Sequence, residues 1–156
     1  MIRKTGGRMR LCIVLLCLNL VFIWGNSMLS AELSGAISQW LRDVLAKLLG
    51  QGSADPDTGH GLLRKLAHFS EFCSLGFLLS WLWRMLSRKK WEHILLPLFS
   101  GAGAACIDEL IQSFVPGRGP GIGDVGIDTL GVSAGILVML LLRIYQNKKR
   151  LEKSKA

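Results

Sequence analysis

The sequence predicts an all-α membrane protein: a bundle of four transmembrane helices, both ends in the cytoplasm, with an amphipathic helix on the outer surface. Three observations predict it. Half of the 156 residues are hydrophobic and the mean hydropathy is +0.38, unusual for a small soluble domain with a net charge of +8. Four stretches approach the roughly 20 mainly apolar residues that a helix needs to cross a bilayer. Finally, 14 of the 19 Lys and Arg residues fall on one side of those stretches. The length suits a single domain spanning residues 1–156.

The first stretch covers residues 11–29. Its basic start, short apolar run and small residues at 25–27 also fit a cleaved signal peptide. Retention and cleavage give the same orientation for everything downstream. The second, third and fourth stretches cover residues 66–86, 94–115 and 125–144. Only helices or closed barrels satisfy their backbone groups in lipid. These runs lack strand-length alternation, so helices are expected.

Between the first two spans, Leu33, Ile37, Trp40, Leu41, Val44, Leu45 and Leu48 recur at helical spacing, opposite Ser38, Arg42, Asp43 and Lys47. That pattern predicts an amphipathic helix, lying on the outer surface or packed as a lid on the bundle. Residues 51–61 are rich in Gly, Asp and Pro and are expected to form a loop, as is the Gly- and Pro-rich segment 114–123. The charged residues 146–156 are expected to fray. No internal repeat is visible.

The basic residues set the orientation. Arg3, Lys4, Arg8 and Arg10 precede the first span, and Arg84, Arg88, Lys89 and Lys90 separate the second from the third. Arg143, Lys148, Lys149, Arg150, Lys153 and Lys155 follow the fourth, while only Arg42, Lys47, Arg64, Lys65 and Arg118 lie opposite. The richer side is expected in the cytoplasm. Trp24, Trp81, Trp83 and Trp91 fall at the expected interfaces, where amphipathic rings settle. Because the basic residues bracket apolar segments and form no stripe, nucleic-acid binding is not expected. Cys12, Cys17, Cys73 and Cys106 lie in apolar runs without a CxxC or zinc-like pair and read as packing residues. Cys12, beside a basic membrane edge, is where a palmitoyl group would fit.

Ionisable groups within membrane spans are costly, so each is a functional candidate. The predicted topology puts them all toward the outer side. His68 and Glu71 share one face of the second span at i, i+3 spacing. Asp108, Glu109 and Gln112 lie near the outer end of the third span. Asp124 and Asp128 open the fourth, one turn apart, and Arg118 sits in the intervening loop. Gly101, Ala105, Asp108 and Gln112 form one small-residue stripe, and Asp124, Asp128, Gly131 and Gly135 another. Such stripes matter only against a neighbouring helix, so their acids are expected to point into the bundle. His68, Glu71, Glu109 and Asp128 are the candidate catalytic residues. Lys65, Asp108, Gln112, Arg118 and Asp124 are the candidate substrate-binding residues. The simpler readings are Asp124 as a helix N-cap, Arg118 as a solvated loop charge, and His68 with Glu71 as a structural pair. One of Asp108 and Glu109 is expected to face away from the bundle.

The run Lys65-Leu66-Ala67-His68-Phe69-Ser70-Glu71-Phe72 resembles the second-helix signature of the VanZ-like membrane proteins. The run Asp108-Glu109-Leu110-Ile111-Gln112-Ser113-Phe114-Val115-Pro116-Gly117-Arg118, followed by Asp124, Asp128, Gly131 and Gly135, resembles the rest of it. The resemblance covers a core of residues 60–142. The linker Gly119-Pro120-Gly121-Ile122-Gly123 departs from it, lacking the hydroxyl residues often found there. The family is named for a protein giving low-level resistance to the glycopeptide antibiotic teicoplanin. The resemblance therefore implies a bacterial cell-envelope protein of the plasma membrane, and supplies no reaction.

Two readings of different class follow. In the first, the outer polar pocket binds a membrane lipid or lipid-linked cell-wall precursor. In the second, the protein is a membrane-embedded enzyme acting on a lipid headgroup, with His68 as general base oriented by Glu71 and Arg118 as an anion clamp. No cofactor is required by either. A divalent metal held by His68, Glu71, Glu109, Asp124 and Asp128 is a variant of the second. A proton-coupled transporter is a third reading, for which four spans are few. A homo-oligomer is compatible with all of them.

Overall fold

The computed structural model describes residues 2–48, 60–118 and 121–155. Five helices follow in order: α1 (Ile2–Ser27), α2 (Ala31–Leu48), α3 (His60–Leu86), α4 (Glu92–Ser113) and α5 (Ile122–Lys155). Among the described residues there is no strand. Most of the loop expected at 51–61 lies outside the described residues. His60 and Gly61, expected in that loop, belong to α3.

Among the described residues, three helices are long and apolar enough to cross a membrane: Gly6–Ser27, Glu92–Ser113 and Ile122–Ser154. Four spans are expected from the sequence, the second of them falling on α3. Helix α3 has the length, at 27 residues. Its His68, Ser70, Glu71, Ser74 and Ser80 dilute its hydropathy. It packs against α1, α4 and α5, most extensively against α5.

The α3–α5 contact explains the glycines. A Cβ on Gly135 would run into the Cys73 carbonyl and the Phe77 amide, and one on Gly76 into the backbone of Val132. A Cβ on Gly131 would sit 2.5 Å from the Phe69 carbonyl oxygen. Small residues thus let two backbones approach closely. Helix α4 joins on the other face of Val132, whose methyl groups fill the space that Gly101 leaves open. Phe72, Leu75, Ala104, Ala105, Val132 and Ile136 form the buried core. Helix α1 adds Cys12, Leu16 and Ile23 from one face. Its opposite face leaves Val14, Leu18, Val21 and Phe22 exposed, a surface suited to lipid.

Pro97 lies inside α4 and has no N–H to offer the carbonyl of His93 one turn earlier. The buried Ser80 hydroxyl of α3 donates to that carbonyl instead, at 3.1 Å. A break in one helix is thereby used to fasten it to its neighbour.

Two expectations about the ends are corrected. The charged tail does not fray within the described residues; α5 runs on to Lys155. Lys, Arg, Leu and Glu are good helix formers, and they dominate this stretch. At 34 residues α5 is about 50 Å long, well beyond the roughly 30 Å hydrocarbon layer. The loop after α4 is shorter than expected, since Ile122 and Gly123 already belong to α5. Gly117, with φ of 77°, takes the left-handed conformation that turns this loop.

The helices alternate in direction, apart from α2. One end of the bundle brings together Arg8, Arg84 and Arg150 around a wide recess. The other end gathers the close of α1 and α4 with the starts of α3 and α5.

Candidate functional site

At this second end, helical spacing places Arg64, His68 and Glu71 of α3, Asp108 and Gln112 of α4, and Asp124 and Asp128 of α5 on inward faces. Asp108, Glu109, Gln112 and Asp128 are at most 6% exposed, and Glu71 is 9% exposed. An unpaired charge at membrane depth costs about 2.5–3.5 kcal/mol on insertion scales, so each needs an accounting.

Asp108 is the best satisfied. The Ser27 hydroxyl donates to its Oδ1 at 2.6 Å, and the Gln112 amide donates to its Oδ2 at 2.8 Å. Gln112 also reaches the Ser27 hydroxyl at 3.4 Å. His68 Nδ1 stands 3.7 Å from Asp108 Oδ2 and 3.8 Å from Asp128 Oδ1. Neither separation is a hydrogen bond. Asp128 is 1% exposed, and neither of its oxygens has a hydrogen-bond partner.

Glu71 turns to the Asn26 amide of α1, which donates to it at 2.9 Å. The carboxylates facing His68 are therefore Asp108 and Asp128, and the expected pairing of His68 with Glu71 gives way to these. Asn26 wins Glu71 because the end of α1 closes over that face of α3.

The expectation that one of Asp108 and Glu109 faces away is overturned, because both are buried. The loop folds back and the Gly121 backbone N–H donates to Glu109 Oε2 at 2.8 Å. Its other oxygen, Oε1, has no partner. Asp124 lies within the first turn of α5, past the cap position, and pairs with Arg64 at 3.9 Å. The N-cap reading of Asp124 is thereby replaced by an ion pair across α3 and α5. Arg118 is half-buried and donates to the Ser27 carbonyl at 3.4 Å, near the C-terminus of α1, where a cation is favoured. Burial, reinforced by the Arg64 charge, pulls its pKa below the usual arginine value; Asp108 and Glu109 partly offset this.

The single pocket expected from the sequence is two adjoining recesses. One cleft is lined by Lys65, Glu109, Gln112, Asp124, Ile127 and Asp128, together with Arg64 and His68. Arg64 and His68 also line a groove with Asn26, Ser34, Ile37 and Arg118. Arg118 thus lines only the second of these recesses, and Glu71 lines neither. Sequence reasoning missed Asn26 and Ser27 as site neighbours and gave Arg64 no role. The signal available was Asn19 and Asn26, polar groups two turns apart on one face of an apolar run; Asn19 donates to Ser74 at 2.6 Å.

Chemically, the arrangement offers an imidazole between two carboxylates, reached through a mouth carrying Arg64 and Lys65. Comparison with protein families finds a match to the family described as VanZ/LLP1, over residues 10–143. No curated protein and no solved structure matches the chain.

Proposed function

The chain belongs to the VanZ/LLP1 family, and from that premise we propose that it is a four-span protein of the bacterial plasma membrane that binds the polar headgroup of a lipid or lipid-linked cell-wall precursor. The observation that carries this reading is the His68–Asp108–Asp128 cluster, buried at one end of an otherwise apolar bundle and opening past Arg64 and Lys65. Helix α3 is the remaining span: it lies among three helices apolar enough to cross a membrane, its Glu71 and Ser80 are buried against them, and the exposed Ser70 hydroxyl is bonded to the Ala67 carbonyl of its own helix. The basic Arg8–Arg84–Arg150 end is cytoplasmic by the positive-inside tendency. The site then opens to the outer leaflet, where cell-wall precursors are used. Helix α2 lies over that outer end, with Leu33, Ile37 and Trp40 exposed to the headgroup layer. Helix α1 is retained as a span, because cleavage near residues 25–27 would cut away the donors to Asp108 and Glu71. The family's namesake supports a role in glycopeptide resistance as part of this reading.

The occupant is an amphiphile bearing phosphate, because Lys65 and the Asp124-paired Arg64 at the mouth complement an anion and the surrounding span surfaces complement acyl chains. A second reading, a headgroup-modifying enzyme, is favoured by the imidazole standing between two carboxylates. In it His68 is the general base and Asp108 orients it. Lipid extracts of cells with the protein, without it, and with His68→Gln separate the two. A His68-dependent new or missing headgroup species supports the enzyme. An unchanged lipid profile beside a His68-dependent resistance phenotype supports the binder.

A further inference from the structure

The three central groups carry a more specific chemistry. We propose that His68, Asp108 and Asp128 bind one divalent metal cation of the Mn²⁺ or Zn²⁺ type. The inference rests on the geometry of the cluster and does not require the headgroup reading.

One ligand atom from each residue lies within 4.8 Å of the others, and the three come from three different helices. They converge without hydrogen-bonding one another: the imidazole stands 3.7 and 3.8 Å from the two carboxylates. Tetrahedral metal–ligand bonds of about 2.0–2.2 Å set neighbouring ligand atoms about 3.3–3.6 Å apart. The spacing around His68 is thus wide for direct bonding and within about half an ångström of what a shared ion demands.

Asp128 supplies an independent observation. Its carboxylate is 1% exposed, points into the cleft, and has no hydrogen-bond partner on either oxygen. Buried polar atoms are ordinarily paired. Among the described residues no Lys or Arg pairs with Asp108 or Asp128; Arg64 is engaged by Asp124 and Arg118 by the Ser27 carbonyl. When both carboxylates are ionised and the imidazole is neutral, the cluster carries two negative charges, which one divalent ion neutralises.

The surroundings orient the ligands as metal sites require. Ser27 and Gln112 each hold one oxygen of Asp108 in place, the kind of support that fixes ligating carboxylates. One imidazole nitrogen with carboxylate oxygens suits Mn²⁺ or Zn²⁺. Three protein ligands leave further positions open toward the cleft, where water or a phosphate oxygen would complete the shell.

The test uses the full chain in detergent, free of any histidine tag and stripped with chelator. Mn²⁺ or Zn²⁺ alone is titrated by calorimetry, and bound Mn²⁺ is examined by pulsed electron paramagnetic resonance. Saturable uptake of about one ion per chain is expected, with nitrogen modulation from the imidazole. Asp128→Asn and His68→Gln should weaken binding at least about tenfold while the metal-free variants melt no lower than wild type. Absence of saturable uptake of either ion overturns the proposal, as does undiminished uptake in a folded Asp128→Asn. If both variants fail to fold, the wild-type nitrogen modulation decides: present, it supports the site; absent, it overturns it.

Discussion

His68 and Asp128 face each other across α3 and α5 at 3.8 Å, too far to hydrogen-bond, with the carboxylate buried and unpartnered. What brings them so near is the packing one to two turns deeper. Gly131 and Gly135 let α5 lie against the backbone of α3, and this contact sets the width of the site. Structure and chemistry are therefore coupled along two helices.

That coupling predicts that Gly135→Leu separates α3 from α5. A Cβ there meets the Cys73 carbonyl, so backbone must shift. The expected cost is at least the roughly 1–3 kcal/mol of ordinary overpacking. Gly103 on α4 has open space around it, and Gly103→Leu should leave stability within about 0.5 kcal/mol. Thermal melts in detergent check both. Equal melting of the two variants would mean that the α3–α5 approach is not close.

The Ser80 bond to the carbonyl exposed by Pro97 makes a paired prediction. Ser80→Ala leaves the His93 carbonyl unsatisfied in the bundle and should cost about 1–3 kcal/mol. Pro97→Ala restores an N–H one turn along, so Ser80→Ala should cost markedly less in a Pro97→Ala background. An identical cost in both backgrounds would remove the link between these residues.

Orientation is tested by labelling. In a background lacking the four native cysteines, a cysteine replacing Ile122, which is 94% exposed, should react with an impermeant reagent applied from outside. One replacing Lys89 should react only after the membrane is opened. The reverse pattern would turn the site toward the cytosol.

Some of this was legible in the sequence and some was not. The Gly131–Gly135 spacing and the acids on the same stripe gave away the α5 face, because helical periodicity alone fixes it. The inward turn of Asp108 followed from Gly101 and Ala105 in the same way. Glu109 escaped, since its burial depends on a loop folding back to present the Gly121 N–H, a tertiary event with no local signature. Asn26 and Ser27 escaped because small polar residues at the end of a span also suit a cleavage site. The Glu71 partner was misassigned for a related reason: i, i+3 spacing makes contact with His68 available, and only the arrival of α1 decides against it. The helical tail was misread because charge was weighed above helix propensity.

Arg118 links α1 to the loop, so Arg118→Ala should loosen the end of α1 over the site. Resistance or envelope phenotype should fall while membrane insertion and abundance stay normal. A parallel fall in abundance would assign Arg118 a purely structural role.

The most direct test of the account is native mass spectrometry of the intact protein released from detergent. The account predicts a single phosphate-bearing lipid that stays bound at energies sufficient to strip detergent, and that is lost in the Arg64→Ala, Lys65→Ala double variant while the melting temperature holds. Bare protein throughout, or the same adduct on the double variant, would contradict a headgroup site at this end of the bundle.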